Sequence, residues 1–119
     1  MKAFVLAKLI SAMIFVESGG NPLSFNAREQ AAGVLQIRPI MVAEFNRIGI
    51  EFTLEDRYSQ YKSVEAFKKW ITIKNYTNPE IIARKWNGGP NGHLKQSTLN
   101  YWQKVSNLFY PKYHKCELK

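Results

Sequence analysis

Apolar residues recur in pairs four positions apart near the start of the chain, at Val5-Leu6, Leu9-Ile10 and Met13-Ile14, with Val16 closing the series. That period belongs to one face of an α-helix and not to a strand. The pattern then stops on Glu17 and the string Ser18-Gly19-Gly20-Asn21-Pro22-Leu23, whose residues favour turns over further helix. The chain therefore places a carboxylate where an apolar helix face meets a tight turn. Desolvation at such a position raises a carboxyl pKa toward the range a general acid needs. Taken alone, a Glu at this point also reads as the ordinary polar edge of a helix.

The rest of the chain reads as helical too. Arg38 to Arg47 carries Ile40, Val42, Ala43 and Phe45, and Pro39 suits a first helical turn. Ser63 to Ile73 spaces Val64, Phe67, Trp70 and Ile71 by three and four, with Ser63 as the expected N-cap. Asn78-Pro79 opens another helix, which Asn87-Gly88-Gly89-Pro90-Asn91-Gly92 stops. Gln96 or Ser97 begins the last helix, with Leu99, Trp102, Val105 and Phe109 inward, and Pro111 ends it. The segment Val34-Leu35-Gln36-Ile37 is too short for periodicity to separate strand from tight turn. The expectation is a mainly α chain, residues 1–119 as one domain, with room for a very short β element.

Composition narrows the function classes. With 119 residues, 45% of them hydrophobic and 13% aromatic, the chain can bury a core and is not a disordered tail. One cysteine, Cys116, rules out a disulfide framework within the chain, and His93 and His114 are far apart, so neither a metal nor another cofactor is expected. The net charge of +8 is uneven. Residues 1–40 carry +2, residues 41–60 carry −2, and residues 61–119 carry +8. A basic half suits a polyanionic partner, or simply a solvated lysine-rich surface. No nucleic-acid-binding motif accompanies the charge. Met1-Lys2 and the apolar residues after it resemble the start of a signal peptide, but Lys8 interrupts them and no small-x-small cleavage site precedes the Gly19-Gly20 pair. The run is shorter than the roughly 20 residues of a membrane span. Synthesis in the cytoplasm without a leader, and no membrane insertion, are the expectations.

Two later segments give Glu17 a context. Ala31-Ala32-Gly33-Val34-Leu35-Gln36-Ile37 sets an amide, Gln36, among small and apolar residues, where it must find partners in the protein or in a ligand. Ala83-Arg84-Lys85-Trp86-Asn87-Gly88-Gly89 puts an aromatic ring and an amide at a helix end. A ring beside an amide suits an N-acetylated sugar: the ring packs on C–H groups and the amide pairs with the acetamido group. Each segment also reads as an ordinary core glutamine and an ordinary glycine-rich helix stop.

In order, these segments resemble the soluble lytic transglycosylases, the goose-type branch of the lysozyme-like fold. Glu17-Ser18 and Asn21-Pro22 match that family's Glu-Ser pair and Asn-Pro turn. Gly33-Val34-Leu35-Gln36-Ile37 matches its Gly-Leu-Met-Gln-Ile-like segment. Ala83 to Gly89 matches its Ala-x-Tyr-Asn-x-Gly segment with one extra residue and with Trp86 for the tyrosine, and Thr98-Leu99-Asn100-Tyr101-Trp102 matches its Thr-x-x-Tyr-Val helix. Asn26 stands where the family often has serine, and the stretch from Asn26 to Gly33 is about one residue longer. The similarity covers about residues 6 to 109. The size and the Trp-Asn-Gly-Gly-Pro-Asn-Gly loop look like versions carried by bacteriophages, as endolysins or virion-associated enzymes acting in the bacterial cell wall.

The resemblance implies a mechanism with one carboxylate, among the exceptions to the paired-carboxylate rule of glycoside cleavage. Glu17 would protonate the oxygen between N-acetylmuramic acid and N-acetylglucosamine, the substrate's acetamido group would support charge at C1, and the muramic 6-hydroxyl would close to a 1,6-anhydro product. Ser18, Gln36, Trp86, Asn87 and Tyr101 are the expected substrate contacts. Peptidoglycan glycan strands are the expected partner, with anionic wall polymers attracted to the basic half and a monomer as the working state. Two alternatives stand beside this one. A second carboxylate (Glu29, Glu51 or Asp56) would make the chain a hydrolytic lysozyme. A silent basic module would bind glycan or nucleic acid without cutting.

Overall fold

Helix dominates the chain, as its periodicity demands. The computed structural model describes residues 1–110; Pro111, His114 and Cys116 lie outside the described residues. Five α-helices stand among them: α1 (Ala3–Ser18), α2 (Pro39–Arg47), α3 (Gln60–Lys74), α4 (Pro79–Gly88) and α5 (Leu99–Phe109). Two two-residue strands, β1 (Phe25–Asn26) and β2 (Ala31–Ala32), form the β element. The mainly α expectation, with its very short β element, is borne out.

These elements fall into two compact units. One takes Met1–Val16 together with the chain from Tyr76 onward; the other is the continuous segment Glu17–Asn75. In the first, α1 buries Leu9, Ile10, Ala12 and Met13, while Phe4 and Phe15 remain exposed. The helix α4 begins as its sequence dictates. Asn78 caps it by accepting the Ile81 amide at 3.1 Å, and Pro79 occupies the first turn, where its missing N–H costs nothing. The chain leaves the helix at Gly89, φ +89°. Buried Thr98 ties the following loop together, donating to the Gly92 carbonyl at 2.7 Å and accepting from Arg84 Nε at 2.8 Å. The last segment enters as a 3-10 turn, Gln96–Thr98, before α5 proper.

In the second unit, β1 and β2 pair antiparallel, with Phe25 opposite Ala32 and Asn26 opposite Ala31. Asn26 closes the connection: its Oδ1 accepts the amides of Arg28 and Glu29 at 3.0 and 3.3 Å. Helix α2 starts at Pro39 and carries Val42 and Phe45 into the core. Helix α3 corrects the expectation for Ser63. It begins a turn earlier, at Gln60, because Ser59 is the cap and accepts the Lys62 amide at 3.2 Å. Ser63 is instead buried inside the helix and donates to the Arg57 carbonyl at 3.2 Å. Both serines suit a cap by residue type; burial decides between them.

Glu44 links α2 to α3. It accepts from Arg47 Nε at 2.7 Å and lies 3.3 Å from Lys74 Nζ. The Arg47 hydrogen bond, opposed by partial desolvation and helped by Lys74, lowers its pKa from 4.5 to about 2. A lowered folded-state pKa adds stability that is present above the unfolded value and disappears as pH falls through the folded one. The parent chain should therefore out-stabilise Glu44→Gln by a constant margin above about pH 5. That margin should shrink below the ordinary value and vanish near a pH of about 2. Denaturant melts of both proteins across this range measure it.

Candidate active site

Glu17 occupies the last turn of α1 and is half-buried. Ser18 ends the same helix and spans to the next structural piece. Its hydroxyl donates to the Val34 carbonyl at 2.8 Å, and its oxygen accepts the Gly20 amide at 3.1 Å. The turn that follows is built from its own side chains and glycines. Gly19 and Gly20 have φ of +64° and +87°, a region glycine enters without a Cβ penalty, and Asn21 Oδ1 accepts the Leu23 amide at 3.0 Å. The Glu-Ser-Gly-Gly-Asn-Pro string thus works as one device. It ends a helix, turns the chain, and fastens the helix end to the segment around Val34.

That segment is itself a tight turn. Ala32 and Ile37 exchange backbone hydrogen bonds at 3.1 and 2.9 Å across Gly33 to Gln36. Gly33 donates to the Ser24 carbonyl at 2.8 Å. Its φ of +83°, and an Arg57 carbonyl lying where a Cβ would project, leave no other residue type for this position. Gln36 follows with φ +50°. Its Nε2 donates to the carbonyls of Gly33 at 3.0 Å and Ser24 at 3.3 Å. Both amide hydrogens are committed inside the protein, so the side chain's offer to a ligand is its Oε1, an acceptor.

A residue that the sequence did not single out holds this turn in place. Arg57 is 7% exposed. Its Nε donates to the Leu54 carbonyl at 2.8 Å. Its Nη1 donates to the carbonyls of Gln30 at 2.8 Å and Ile37 at 3.1 Å. Gln30 and Ile37 bracket Ala31 to Gln36, so one guanidinium pins both ends of the segment that carries Gln36. Nothing in the local string Glu55-Asp56-Arg57-Tyr58 announces this, because the carbonyls come from distant turns.

The remaining expected substrate contacts belong to the other unit. Trp86 and Asn87 lie in the last turns of α4, and Tyr101 in the first turns of α5. Trp86 is 4% exposed and Tyr101 9%, so both rings are packed and offer little open face; Asn87 is half-buried. Among the described carboxylates, Glu44, Asp56, Glu65 and Glu80 are engaged with Arg47, Lys62, Lys68 and Arg84 respectively. Asp56 anchors its own loop, accepting the Thr53 amide at 2.9 Å. That bond, together with Lys62, lowers its pKa below the ordinary carboxylate value.

Comparison with known proteins gives one direction. The chain is 35% identical over 86 residues to a lysozyme of Ostrea edulis, a match covering 69% of this chain and 63% of that protein. The chain thus spans less than two thirds of that lysozyme's length. No protein-family model matches the chain, and no solved structure matches it.

Proposed function

We propose that the chain is a lysozyme-like glycosidase that cleaves peptidoglycan, with Glu17 as its general acid. The similarity to a lysozyme across more than half of the chain carries this reading. The placement of Glu17 agrees with it: half-buried at a helix end, beside a serine fastened to the turn that presents Gln36.

In finer detail, we assign a lytic transglycosylase reaction. Glu17 gives its proton to the bridging oxygen as the bond from that oxygen to C1 of N-acetylmuramic acid breaks. The oxygen of the sugar's acetamido group attacks C1 and takes up the developing charge. The 6-hydroxyl oxygen then displaces it, and its proton returns to the Glu17 carboxylate. Atoms balance without water, and the carboxyl group ends as it began. Gln36 suits the acetamido group through Oε1, which accepts the N–H and holds the group in the attacking orientation. Ser18 acts as a positioning residue, since its hydroxyl hydrogen is directed to Val34. Asp56, one of the three possible second carboxylates, is held by the Thr53 amide and Lys62, so a hydrolytic pair would have to draw on Glu29 or Glu51.

Mass analysis of the fragments released from purified sacculi tests the reaction. Transglycosylation leaves muramic ends one water lighter than hydrolysis does. Fragments with 1,6-anhydromuramic ends are expected; reducing ends throughout would make the chain a hydrolase, and no release of fragments would remove the glycosidase reading itself.

A further inference from the structure

The outward face of α1 is unusual for a surface. Phe4 and Phe15 are 64% and 65% exposed, and exposed Lys8 and Ser11 lie between them. Positions 4, 8, 11 and 15 follow at steps of four, three and four, which is one stripe along a helix. Leu108 of α5 joins the stripe: it is 44% exposed and shares a shallow groove with Ala7, Lys8, Ser11, Ala12 and Phe15. Single exposed apolar residues are common, but two exposed phenylalanines on one helix stripe, with Leu108 sharing the groove at Phe15, make an amphipathic face that calls for a partner.

The charge around the patch has one sign. Lys2, Lys8 and Lys104 are exposed on or beside it, Lys104 one helical turn before Leu108. Among the described residues of this unit the only carboxylate is Glu80, which is engaged with Arg84 at 2.8 Å. Among the described residues no helix is long and apolar enough to cross a membrane, so the stripe suits a surface and not a span. A twin chain is a poor occupant, because a two-fold pairing of this stripe sets Lys8 against its own copy. A soluble polyanion would meet the lysines and leave the rings in water.

We propose that this stripe docks the protein on an anionic lipid surface. Phe4, Phe15 and Leu108 enter among the headgroups while Lys2, Lys8 and Lys104 meet their phosphates. This docking does not use the Glu17 carboxyl group and does not depend on the glycosidase reading.

Sedimentation with lipid vesicles tests it without any peptidoglycan present. The parent chain is expected to pellet with phosphatidylglycerol vesicles and to stay in solution with phosphatidylcholine vesicles. Phe4→Ser/Phe15→Ser should weaken that binding roughly tenfold or more, and Lys8→Gln should weaken it less, with its contribution fading as salt rises. Both variants should keep the parent's melting temperature and wall-clearing activity, since the side chains are exposed. Three results would overturn the docking surface: no pelleting of the parent, equal pelleting of the double variant, or a parent dimer that the double variant dissolves.

Discussion

Glu17→Gln should fold as the parent does and clear peptidoglycan roughly 100- to 10,000-fold more slowly, the range attributed to a positioned general acid. The substitution changes one oxygen to an amide nitrogen and little else in shape. It removes the transferable proton, and the leaving sugar must then depart as an alkoxide. Because Glu17 is only half-buried at the end of α1, the neutral amide carries no large desolvation cost and the melting temperature should hold. Pelleting with sacculi should persist as well, which separates lost chemistry from lost binding. A variant that clears suspensions as fast as the parent would end the assignment of Glu17 and leave the lysozyme likeness to be explained by another residue.

Arg57→Met should show the opposite signature, with stability and activity falling together. Methionine has a similar reach and no hydrogen to donate. The carbonyls of Leu54, Gln30 and Ile37 lose their guanidinium partner, and buried acceptors without partners cost about 1–3 kcal/mol each. Some will recover a bond to water, so a net loss of about 3 kcal/mol is expected, seen as a melting temperature lower by roughly 10 °C. Activity should drop because Gln30 and Ile37 bracket the turn that carries Gln36. Arg57→Lys should restore only part of either property: an ammonium cannot reproduce the guanidinium fork. An Arg57→Met protein that melts with the parent would show that these bonds are replaceable.

The sequence disclosed what local chemistry determines. Asn78-Pro79 announced α4 because a capping amide and a proline without an N–H both act within one turn. Pro39 announced α2 in the same way. The ambiguous Val34-Leu35-Gln36-Ile37 stretch proved to be a tight turn, its bond pattern resting on Gly33 and the left-handed Gln36. Features that depend on distant partners stayed hidden. Ser63 carried the composition of a cap, yet its hydroxyl belongs to Arg57 in the core. Arg57 looked like one more basic residue in an acidic stretch, although its charge is spent on carbonyls from three separate loops. Trp86 read as a sugar platform from its neighbours; its 4% exposure became legible only once α4 was packed.

The order in which the two units are strung along the chain has a further cost during synthesis. Glu17–Asn75 is continuous, whereas α1 shares its unit with residues from Tyr76 onward. A ribosome releases α1 well before α4 and α5, so the inner face of the nascent helix, with Leu9, Ile10 and Met13, waits for the later part of its own unit while the whole intervening unit is being made. Through that interval the emerging polypeptide displays the greasy inner side chains of α1 as well as Phe4 and Phe15 outside, which makes this segment the natural client of a chaperone and the first suspect when the protein aggregates on overproduction.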